Sequence, residues 1–506
     1  MNVAGEKIEA AEGPWELPPG WAWASLGELG TWTGGGTPSK ANPEFWRCGT
    51  IPWVSPKDMK ADTISATEDS ITEEAVARSA TNYVPASSIL MVLRSGILRH
   101  TFPVAINDRI VTLNQDLRAL TPHGGITAAF VARYLKHASR RVLTDCAKDV
   151  NSIEFAALEG LPVPIAPTNE QRRIVERIDA LFVEIAEGEA ALAEARKGLA
   201  LFRRSLLKAA VIGELTRNWR AANTPAETSA ALLNRIVAAR ARLIDKARRR
   251  PKILRAKPPR GLPNLPERWT WASWDQIGSS QNGRPFPSSK YSDNGIRLLR
   301  PGNLFSDGAV RWSDRNTRYL PNEFLNGNEN LLVKERELII NLTAQSLKDE
   351  FLGRVCLTAS AEYCLLNQRL ARLTPTIIPP EYMLIVFKSA LFRSFVEELN
   401  SGSLIQHMFT TQVSEFKFPL PPLAEQQEII QRVSEALAAA DDAEKELDAE
   451  AADAARLKQS ILKAAFEGHL VPQDPNDEPA SALLARLRSI GSAKPPQRRR
   501  RPALAM

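Results

Sequence analysis

The sequence predicts an α+β protein: two globular, mixed α/β domains joined by two long antiparallel coiled-coil helices, with an internal pseudo-two-fold repeat. The first observation behind this prediction is a block that occurs twice, from Pro164 to Leu215 and from Pro419 to Leu470. The copies lie 255 residues apart (419 − 164 = 255) and align without a gap. A repeat of this length within one chain indicates duplicated architecture.

The second observation is the apolar seam inside each copy. Apolar or small residues recur there in alternating steps of four and three, which is the spacing of coiled-coil a and d positions. The seam includes Phe202 in the first copy and Leu457 in the second, and Gly213 and Gly468 stand where the helices should end. A helix of about 45 residues would be roughly 70 Å long.

Two equal helices with matching seams most simply pack on each other, and antiparallel pairing would place the two domains at opposite ends of the pair. Two alternatives stay open: each seam packs on its neighbouring domain, or it forms a homodimer. The residues predicted for helix packing are Ile178, Ile185, Leu192, Leu199, Val433, Ala440, Leu447 and Ala454. The small residues expected to let the helix axes approach closely are Gly188, Ala195, Ala436, Ala440 and Ala443.

The composition is typical of a soluble globular protein with two or more domains. The net charge of +7 and the pI near 9.2 favour a polyanionic partner. Basic residues concentrate in 240–260 and 498–501, which are either solvated segments or phosphate contacts. The four cysteines lack CxxC spacing, so we expect reduced thiols and neither a disulfide framework nor a zinc site. Without a signal peptide or an apolar run of ~18 residues, a cytoplasmic chain with no membrane contact is expected.

The repeat starts well before the helices. Residues 17–30 (LPPGWAWASLGELG) and 265–278 (LPERWTWASWDQIG) each place a Trp-x-Trp pair ahead of a short amphipathic segment. We interpret these tryptophans as buried anchors of a domain edge, with stacking on bases as the alternative. Buried strands are predicted at 88–93 and 337–342, and short helices at 128–144 and 380–399.

Polar loops follow the predicted strands. The Gly-rich loop at 31–40 (TWTGGGTPSK) lacks the GK[ST] of a P-loop, so it is either a contact loop for phosphates and base edges or a plain surface turn. Residues 113–122 (LNQDLRALTP) and 366–375 (LNQRLARLTP) repeat an Asn-Gln pair. Such amides can read adenine, but satisfying buried backbone groups is the favoured interpretation.

The paired Trp-led starts, the GGTPS loop, the LNQ-x-L segment and the block PLPPLAEQQEII…LKQSILKAAFEGHLVPQDP resemble the specificity (S) subunit of type I restriction-modification systems. The resemblance covers nearly the whole chain. It implies two target-recognition domains, each reading one half of a bipartite, asymmetric site in double-stranded DNA, and two helices that fix the spacer between the halves. It also implies docking of two methyltransferase (M) subunits and of restriction/translocase (R) subunits.

With this resemblance, the polar loop tips become the candidate DNA contacts. Lysines and arginines there would supply salt-dependent phosphate binding, and the arginine and asparagine side chains suit base edges. The candidates are Ser39, Lys40, Lys57, Arg94 and Arg99 in the first domain, and Arg284, Lys290, Arg300, Asn303 and Lys348 in the second.

The sequence shows no catalytic motif of its own. The string nearest to the NPP[FY] of an adenine methyltransferase, residues 378–382 (IPPEY), lacks the asparagine, and the five histidines have no metal-ligand spacing. We therefore expect a chain that is not catalytic by itself and has no cofactor or metal. The resemblance implies that it is part of a site-specific deoxyribonuclease and adenine methyltransferase complex. The alternatives are a coiled-coil adaptor without DNA readout and a stand-alone DNA methyltransferase of unfamiliar motif.

The predicted domain organisation follows the repeat. It consists of a polar leader (1–16), target-recognition domain 1 (17–168), long spacer helix 1 (169–215), a short helix with a basic linker (216–260), target-recognition domain 2 (261–422), long spacer helix 2 (423–470), and a short helix with a basic tail (471–506).

Overall fold

The computed structural model describes residues 13–246, 264–344, 350–359, 363–399 and 406–491. The basic cluster at 498–501 and most of the one at 240–260 lie outside these ranges. The chain forms two compact units: unit 1 combines the residues up to Leu192 with those from Ala449 onward, and unit 2 comprises Ala193–Asp448. Each unit contains one mixed α/β domain and one part of each long helix.

The first half of the chain alternates short strands with helices, and its long helix is followed by two shorter helices. Its strands are β1 (Ala22–Ser25), β2 (Gly30–Gly34), β3 (Ile51–Val54), β4 (Thr63–Ile64), β5 (Asp69–Ile71), β6 (Tyr83–Val84), β7 (Ile89–Val92), β8 (Val104–Asn107), β9 (Val111–Leu113), β10 (Leu117–Pro122), β11 (Ala147–Asp149), β12 (Ser152–Ile153) and β13 (Pro162–Ile165). Its helices are α1 (Glu73–Arg78), α2 (Ala128–His137), α3 (Ser139–Asp145), α4 (Phe155–Glu159), α5 (Thr168–Val211), α6 (Arg217–Ala222) and α7 (Ser229–Lys246).

The second half repeats this order. Its strands are β14 (Thr270–Ser273), β15 (Gly278–Asn282), β16 (Ile296–Leu299), β17 (Tyr319–Leu320), β18 (Leu332–Val333), β19 (Leu338–Asn341), β20 (Thr343–Ala344), β21 (Val355–Leu357), β22 (Cys364–Leu366), β23 (Leu370–Pro375), β24 (Gln406–His407) and β25 (Lys417–Leu420). Its helices are α8 (Trp274–Ile277), α9 (Pro380–Lys388), α10 (Ala390–Leu399), α11 (Thr410–Val413), α12 (Leu423–Phe466) and α13 (Ala480–Gly491).

The two domains share one sheet topology. In unit 1 a five-stranded sheet has the order β2-β10-β7-β8-β4, and a four-stranded sheet has the order β5-β3-β9-β6 with β3 and β9 parallel. In unit 2 the corresponding sheets are β15-β23-β19-β21 and β17-β16-β22-β18, with β16 and β22 parallel. The edge pair β1-β13 corresponds to β14-β25. Together with the two long helices, this duplicated topology confirms the predicted fold class.

The central strands β7 and β19 are buried on both faces, as their continuous apolar sequence predicts. In β7, Ile89 and Met91 face the core that contains α2, whereas Leu90 and Val92 face the core between the two sheets. In β19, Leu338 and Ile340 likewise face the helix-side core, and Ile339 faces the other. Each domain therefore has three layers, with helices on one face of the first sheet and the second sheet on the other.

The two long helices pack antiparallel within each unit. In unit 1 the early residue Ile178 of α5 shares a core with the late residue Ile461 of α12, and Lys458 Nζ donates to both oxygens of Glu189 at 2.8 Å. In unit 2 the order is reversed: Leu206, late in α5, shares a core with Val433, early in α12. Each helix is 44 residues long, which corresponds to about 66 Å.

The seam of the helix pair differs in part from the predicted one. The eight residues predicted for helix packing are all buried or half-buried. Phe202 and Leu457, however, are 46% and 51% exposed. Gly188 and Ala195 are also exposed, and a Cβ built on Gly188 would have no atom within 4 Å, so the prediction that these two residues bring the axes together is wrong. A helix with 3.6 residues per turn drifts away from a strict seven-residue repeat, which rotates such positions out of the contact.

The tryptophans at the domain starts are buried anchors, as interpreted. Trp21 and Trp269 are 8% and 7% exposed. The Trp21 Nε1 donates to Glu170 at the start of α5 (3.1 Å), and the Trp269 Nε1 donates to Glu425 at the start of α12 (2.8 Å). Each domain edge is thereby fastened to the long helix that begins in its own unit.

Candidate nucleic-acid interface

The polar loops of unit 1 converge at one end of the two sheets. We call this region loop end 1; it comprises residues 34–40, 55–60, 93–99, 114–116 and 147–153. Three backbone bonds from the turn between β9 and β10 join these loops. Gly36 N donates to Leu113 O (2.8 Å), Asn114 N to Val54 O (2.8 Å), and Leu93 N to Asp116 O (2.8 Å).

Two of the predicted contact residues, Arg94 and Arg99, lie together at loop end 1. Both are exposed, and both are held by the β11-β12 hairpin. The Arg99 Nε donates to Asn151 Oδ1 (2.9 Å), and the backbone of Arg94 forms a bridge with Ser152. The Arg94 guanidinium is 4.0 Å from the carboxylate of Asp116. The guanidinium groups of Arg94 and Arg99 are therefore exposed to solvent, but both residues are held near the hairpin.

Arg94 and the hairpin together line an open cleft of about 510 Å³. Its lining carries both signs of charge, with Arg94, Arg118 and Lys148 beside Asp116, Asp149 and Glu154. Hydrogen bonds from the Ser152 hydroxyl and the Asn151 backbone lower the pKa of the Asp149 carboxyl below its ordinary value. Such a lining offers both donors and acceptors, as base edges require.

The other three candidates of the first domain are exposed but bound differently. Lys57 follows β3 and lies 4.0 Å from Glu68, an exposed pair that adds little stability. Ser39 and Lys40 lie farther along the Gly-rich loop, where the Ser39 carbonyl accepts from Trp46 Nε1 (3.1 Å). This loop is linked to the β9–β10 turn by a hydrogen bond from the Thr37 hydroxyl to Gln115.

The corresponding end of unit 2, loop end 2, comprises residues 282–291, 300–304, 341–344 and 367–369. It brings Arg284 and Arg300 to the two sides of the turn between β22 and β23. Gln368 N donates to Arg284 O (2.8 Å), and Asn367 N donates to Leu299 O, directly before Arg300 (3.2 Å). Arg300 is half-buried against the ring of Tyr291 (5.7 Å), next to the exposed Lys290.

Asn303 does not face solvent. Its side chain is fully buried, its Oδ1 accepts from Arg300 N (3.0 Å), and its Nδ2 donates to Arg311 O (3.3 Å). Asn303 therefore supports the turn that presents Arg300, and its amide is not available to DNA in this conformation. Lys348, the last candidate, lies outside the described residues.

The asparagines of the two LNQ segments also have structural roles. The Oδ1 of Asn114 accepts from Asp116 N (2.6 Å), and the Oδ1 of Asn367 accepts from Arg369 N (3.1 Å). These bonds agree with the favoured interpretation from the sequence. The neighbouring residues Gln368 and Arg369 are nevertheless exposed at the centre of loop end 2.

Sequence reasoning missed Arg369 and its counterpart Asp116. The available signal was that the repeated LNQ segment continues with an acid in one copy and a base in the other. When the charge at a matched position differs in sign between the two copies of a duplicated domain, the residues at that position are candidates for different roles in the two domains.

Among the described residues, no group of three or more His, Cys, Asp or Glu side chains is placed to hold a metal ion. The described cysteines are free thiols, and burial raises the pKa of Cys356 to about 12. No described helix combines the length and the apolar character that crossing a membrane would require.

Comparisons with known proteins agree with this arrangement. The family model for the type I restriction modification DNA specificity domain matches residues 18–195 and 266–451. The specificity subunit of type I restriction enzyme EcoR124I/EcoR124II from Escherichia coli is 43% identical over 172 residues, which are 33% of this chain and 43% of the relative. The EcoDI specificity subunit, also from Escherichia coli, is 26% identical over 363 residues, 68% of this chain and 70% of the relative. The alignments with the EcoR124I/EcoR124II and EcoAI subunits span less than half of each relative, 43% and 42%.

Two solved structures share the fold. One, from a study titled "Structural basis underlying complex assembly and conformational transition of the type I R-M system", has a TM-score of 0.64 at 17% identity and covers 90% of this chain and 100% of its own. The HsdS subunit from Thermoanaerobacter tengcongensis has a TM-score of 0.51 at 17% identity and covers 90% of this chain and 99% of its own.

Proposed function

This chain belongs to the type I restriction-modification DNA specificity family, and on that premise we propose that it is the DNA-reading subunit of a type I restriction-modification complex. Each domain reads one half of a bipartite, asymmetric site in double-stranded DNA. The long helices set the number of base pairs between the halves.

The observation that carries this proposal is the pair of matched loop ends with unlike side chains. The sheets that form them correspond strand for strand apart from β4, yet the candidate arginines follow different strands: Arg94 and Arg99 come after β7, whereas Arg284 and Arg300 come after β15 and β16. A duplicated scaffold with divergent loops suits recognition of two different sequences, because the scaffold fixes the position and the loops choose the base.

The surroundings of the candidate lysines and arginines suit them to two different kinds of DNA contact. Lys40, Lys57 and Lys290 are exposed and suit phosphates, whose contacts give affinity without sequence preference. The guanidinium of Arg300 is held over the Tyr291 ring, and that of Arg94 lies 4.0 Å from Asp116. A guanidinium held in one orientation is suited to the bidentate recognition of guanine.

In this proposal the chain is not itself an enzyme and works in the cytoplasm, where its DNA lies. Two methyltransferase subunits dock on it to modify the site, and restriction/translocase subunits join them for cleavage. The support for these partners is family membership.

The direct test is binding of the full chain to duplex DNA that contains its recognition site, with one half-site mutated at a time. Arg94→Ala should weaken binding through the first half-site and Arg300→Ala through the second, each by roughly 5- to 150-fold. Binding should also weaken steeply with salt. Matched controls are Arg486→Ala and Arg235→Ala, exposed arginines of α13 and α7 that pair with Glu478 and Glu227.

Other outcomes would identify the alternatives. DNA affinity that is unchanged by both loop variants and insensitive to salt would favour a coiled-coil adaptor without DNA readout. Binding of a methyl-donor cofactor by the purified chain alone would favour a stand-alone methyltransferase.

A further inference from the structure

The turn at the centre of each loop end has the same construction in both units. We call these turns the central turns: residues 114–117 connect β9 to β10, and residues 367–370 connect β22 to β23. In each, the fourth residue donates its backbone N–H to the first residue's carbonyl, at 3.1 Å in unit 1 and 2.9 Å in unit 2. The asparagine side chain at the first position closes each turn from within. The backbone at the third position is therefore fixed in the same way in both.

Every loop that carries a described candidate arginine is bonded to its central turn. The carbonyl of Asp116 accepts from Leu93 N and Arg94 N, and the carbonyl of Arg369 accepts from Leu342 N (2.9 Å). Gln368 N donates to Arg284 O (2.8 Å), and Arg284 N donates to Leu366 O (3.1 Å), just before the second turn. A side chain on a central turn is thus surrounded by the other candidate DNA-contacting loops. In this arrangement the central turn suits contacts to base edges, and the surrounding loops suit contacts to phosphates.

The third position differs in charge. Arg369 is exposed, and within the described part of the chain no hydrogen bond or ion pair involves its side chain. Asp116 is 24% exposed and has Arg94 at 4.0 Å. An unpaired acid would be repelled by the phosphate backbone, so an acid at the centre of a DNA-binding surface is favourable only opposite a donor. In the major groove, that donor is the exocyclic amine of cytosine or adenine.

The second position differs as well. The Oε1 of Gln115 already accepts a hydrogen bond from the Thr37 hydroxyl, whereas Gln368 is exposed, and no described residue holds its side chain. The first turn therefore offers mainly the Asp116 carboxylate as an acceptor. The second turn offers the five donors of a guanidinium together with a free amide.

We propose that the third residue of each central turn determines a base of its half-site: Arg369 reads a guanine through O6 and N7, and Asp116 accepts from the exocyclic amine of a cytosine, the base with which an acidic side chain pairs in the major groove. This inference rests on the proposed function and assigns the part of each loop end that makes the two half-sites different. The Arg94 guanidinium lies 4.0 Å from this carboxylate and keeps the base contact proposed for it above.

The test is selection of bound duplexes from a random-sequence library by the full chain, repeated with Arg369→Ala, Arg369→Lys and Asp116→Asn. The lysine variant keeps the charge but loses the two-pronged donor geometry that guanine requires. We expect Arg369→Ala and Arg369→Lys both to lose preference for one guanine in one half-site, by roughly 5- to 150-fold, with the other half-site unchanged. Asp116→Asn should change one base of the other half-site toward adenine, which an amide pairs with bidentately. Lys290→Ala is the matched control and should weaken all selected sequences alike.

Two results would overturn the inference. If Arg369→Lys behaves as wild type while Arg369→Ala weakens every sequence equally, Arg369 is a phosphate contact. If Asp116→Asn leaves the selected bases unchanged, Asp116 only holds Arg94. Failure of the proposed function is distinct, because the unmutated chain would then select no bipartite site. Thermal unfolding of each variant identifies any that has lost its fold.

Discussion

The indole Nε1 of Trp269 donates a 2.8 Å hydrogen bond to the carboxylate of Glu425, and the same pair in the other unit, Trp21 and Glu170, is bonded at 3.1 Å. The surroundings of the two carboxylates differ. Glu425 also accepts from Arg220 (2.6 Å) and from the Thr216 hydroxyl (2.7 Å), so its buried charge is fully matched. No described cation is bonded to Glu170, which is 1% exposed.

Replacing Glu425 by glutamine should destabilise unit 2 far more than the equivalent change destabilises unit 1. Glu425→Gln leaves the Arg220 charge without its partner in a largely buried site, at a cost of about 3–5 kcal/mol in the free energy of unfolding. Glu170→Gln keeps an acceptor for the Trp21 indole and should cost less than about 1.5 kcal/mol. Urea unfolding, with hydrogen exchange to assign the loss to a unit, measures both changes. Equal losses of unfolding free energy for the two variants would show that the ion pair between Arg220 and Glu425 does not stabilise unit 2.

The stability of unit 1 should carry a pH dependence from Glu170. Burial raises the pKa of this carboxyl above its ordinary value, and hydrogen bonding from Trp21 only partly offsets that effect. The folded state then holds the proton more tightly than the unfolded state, so this contribution to stability is complete at low pH. It is lost as the pH rises from about 4.3 through the raised pKa.

Glu170→Gln removes that contribution. The difference in unfolding free energy between wild type and the variant, measured from pH 4 to pH 8, should therefore fall with rising pH and then level off. A Glu170→Gln curve that rises with pH would contradict the assigned direction.

Two glycines of the long-helix segments should respond in opposite directions to alanine. Gly188 lies in the interior of α5 with open space around its Cα, so Gly188→Ala should stabilise the protein by about 0.5–1 kcal/mol. Gly468 follows α12 at φ +78°, and an added Cβ would lie 2.2 Å from Pro18 Cγ. Gly468→Ala should therefore destabilise by more than about 1 kcal/mol. Thermal unfolding monitored by circular dichroism measures the stability change of both variants. If Gly188→Ala instead destabilised the protein, that result would support the prediction from the sequence that the helix axes approach closely at Gly188.

Shortening both helices should change the spacer and leave the half-site sequences alone. Residues 187–193 and 452–458 are facing heptads, since Glu189 pairs with Lys458. Their joint deletion removes about 10.5 Å of helix, equivalent to at most about three base pairs at 3.4 Å each. Library selection should return the same half-sites with a shorter spacer. An altered half-site would count against the role of the helices as a spacer.

Much of this fold follows from the sequence because its signals are local or repeated. The gapless block and the four-three spacing predict two long helices, and the apolar runs at 88–93 and 337–342 predict the central strands. The tryptophan pairs mark the domain edges, since large aromatic residues at a fixed place in both copies are most often buried anchors.

Tertiary structure alone decided which polar residues face solvent and which loops meet. Asn303 and Arg369 both occur in polar turns of the sequence. The Asn303 amide is nevertheless buried against backbone groups, whereas the Arg369 side chain is exposed at the centre of loop end 2. Gly188 occupies a seam position in the sequence but points away from the partner helix. The physical reason is that exposure depends on hydrogen bonds and packing between segments far apart in the chain, whereas periodicity depends only on neighbours along it.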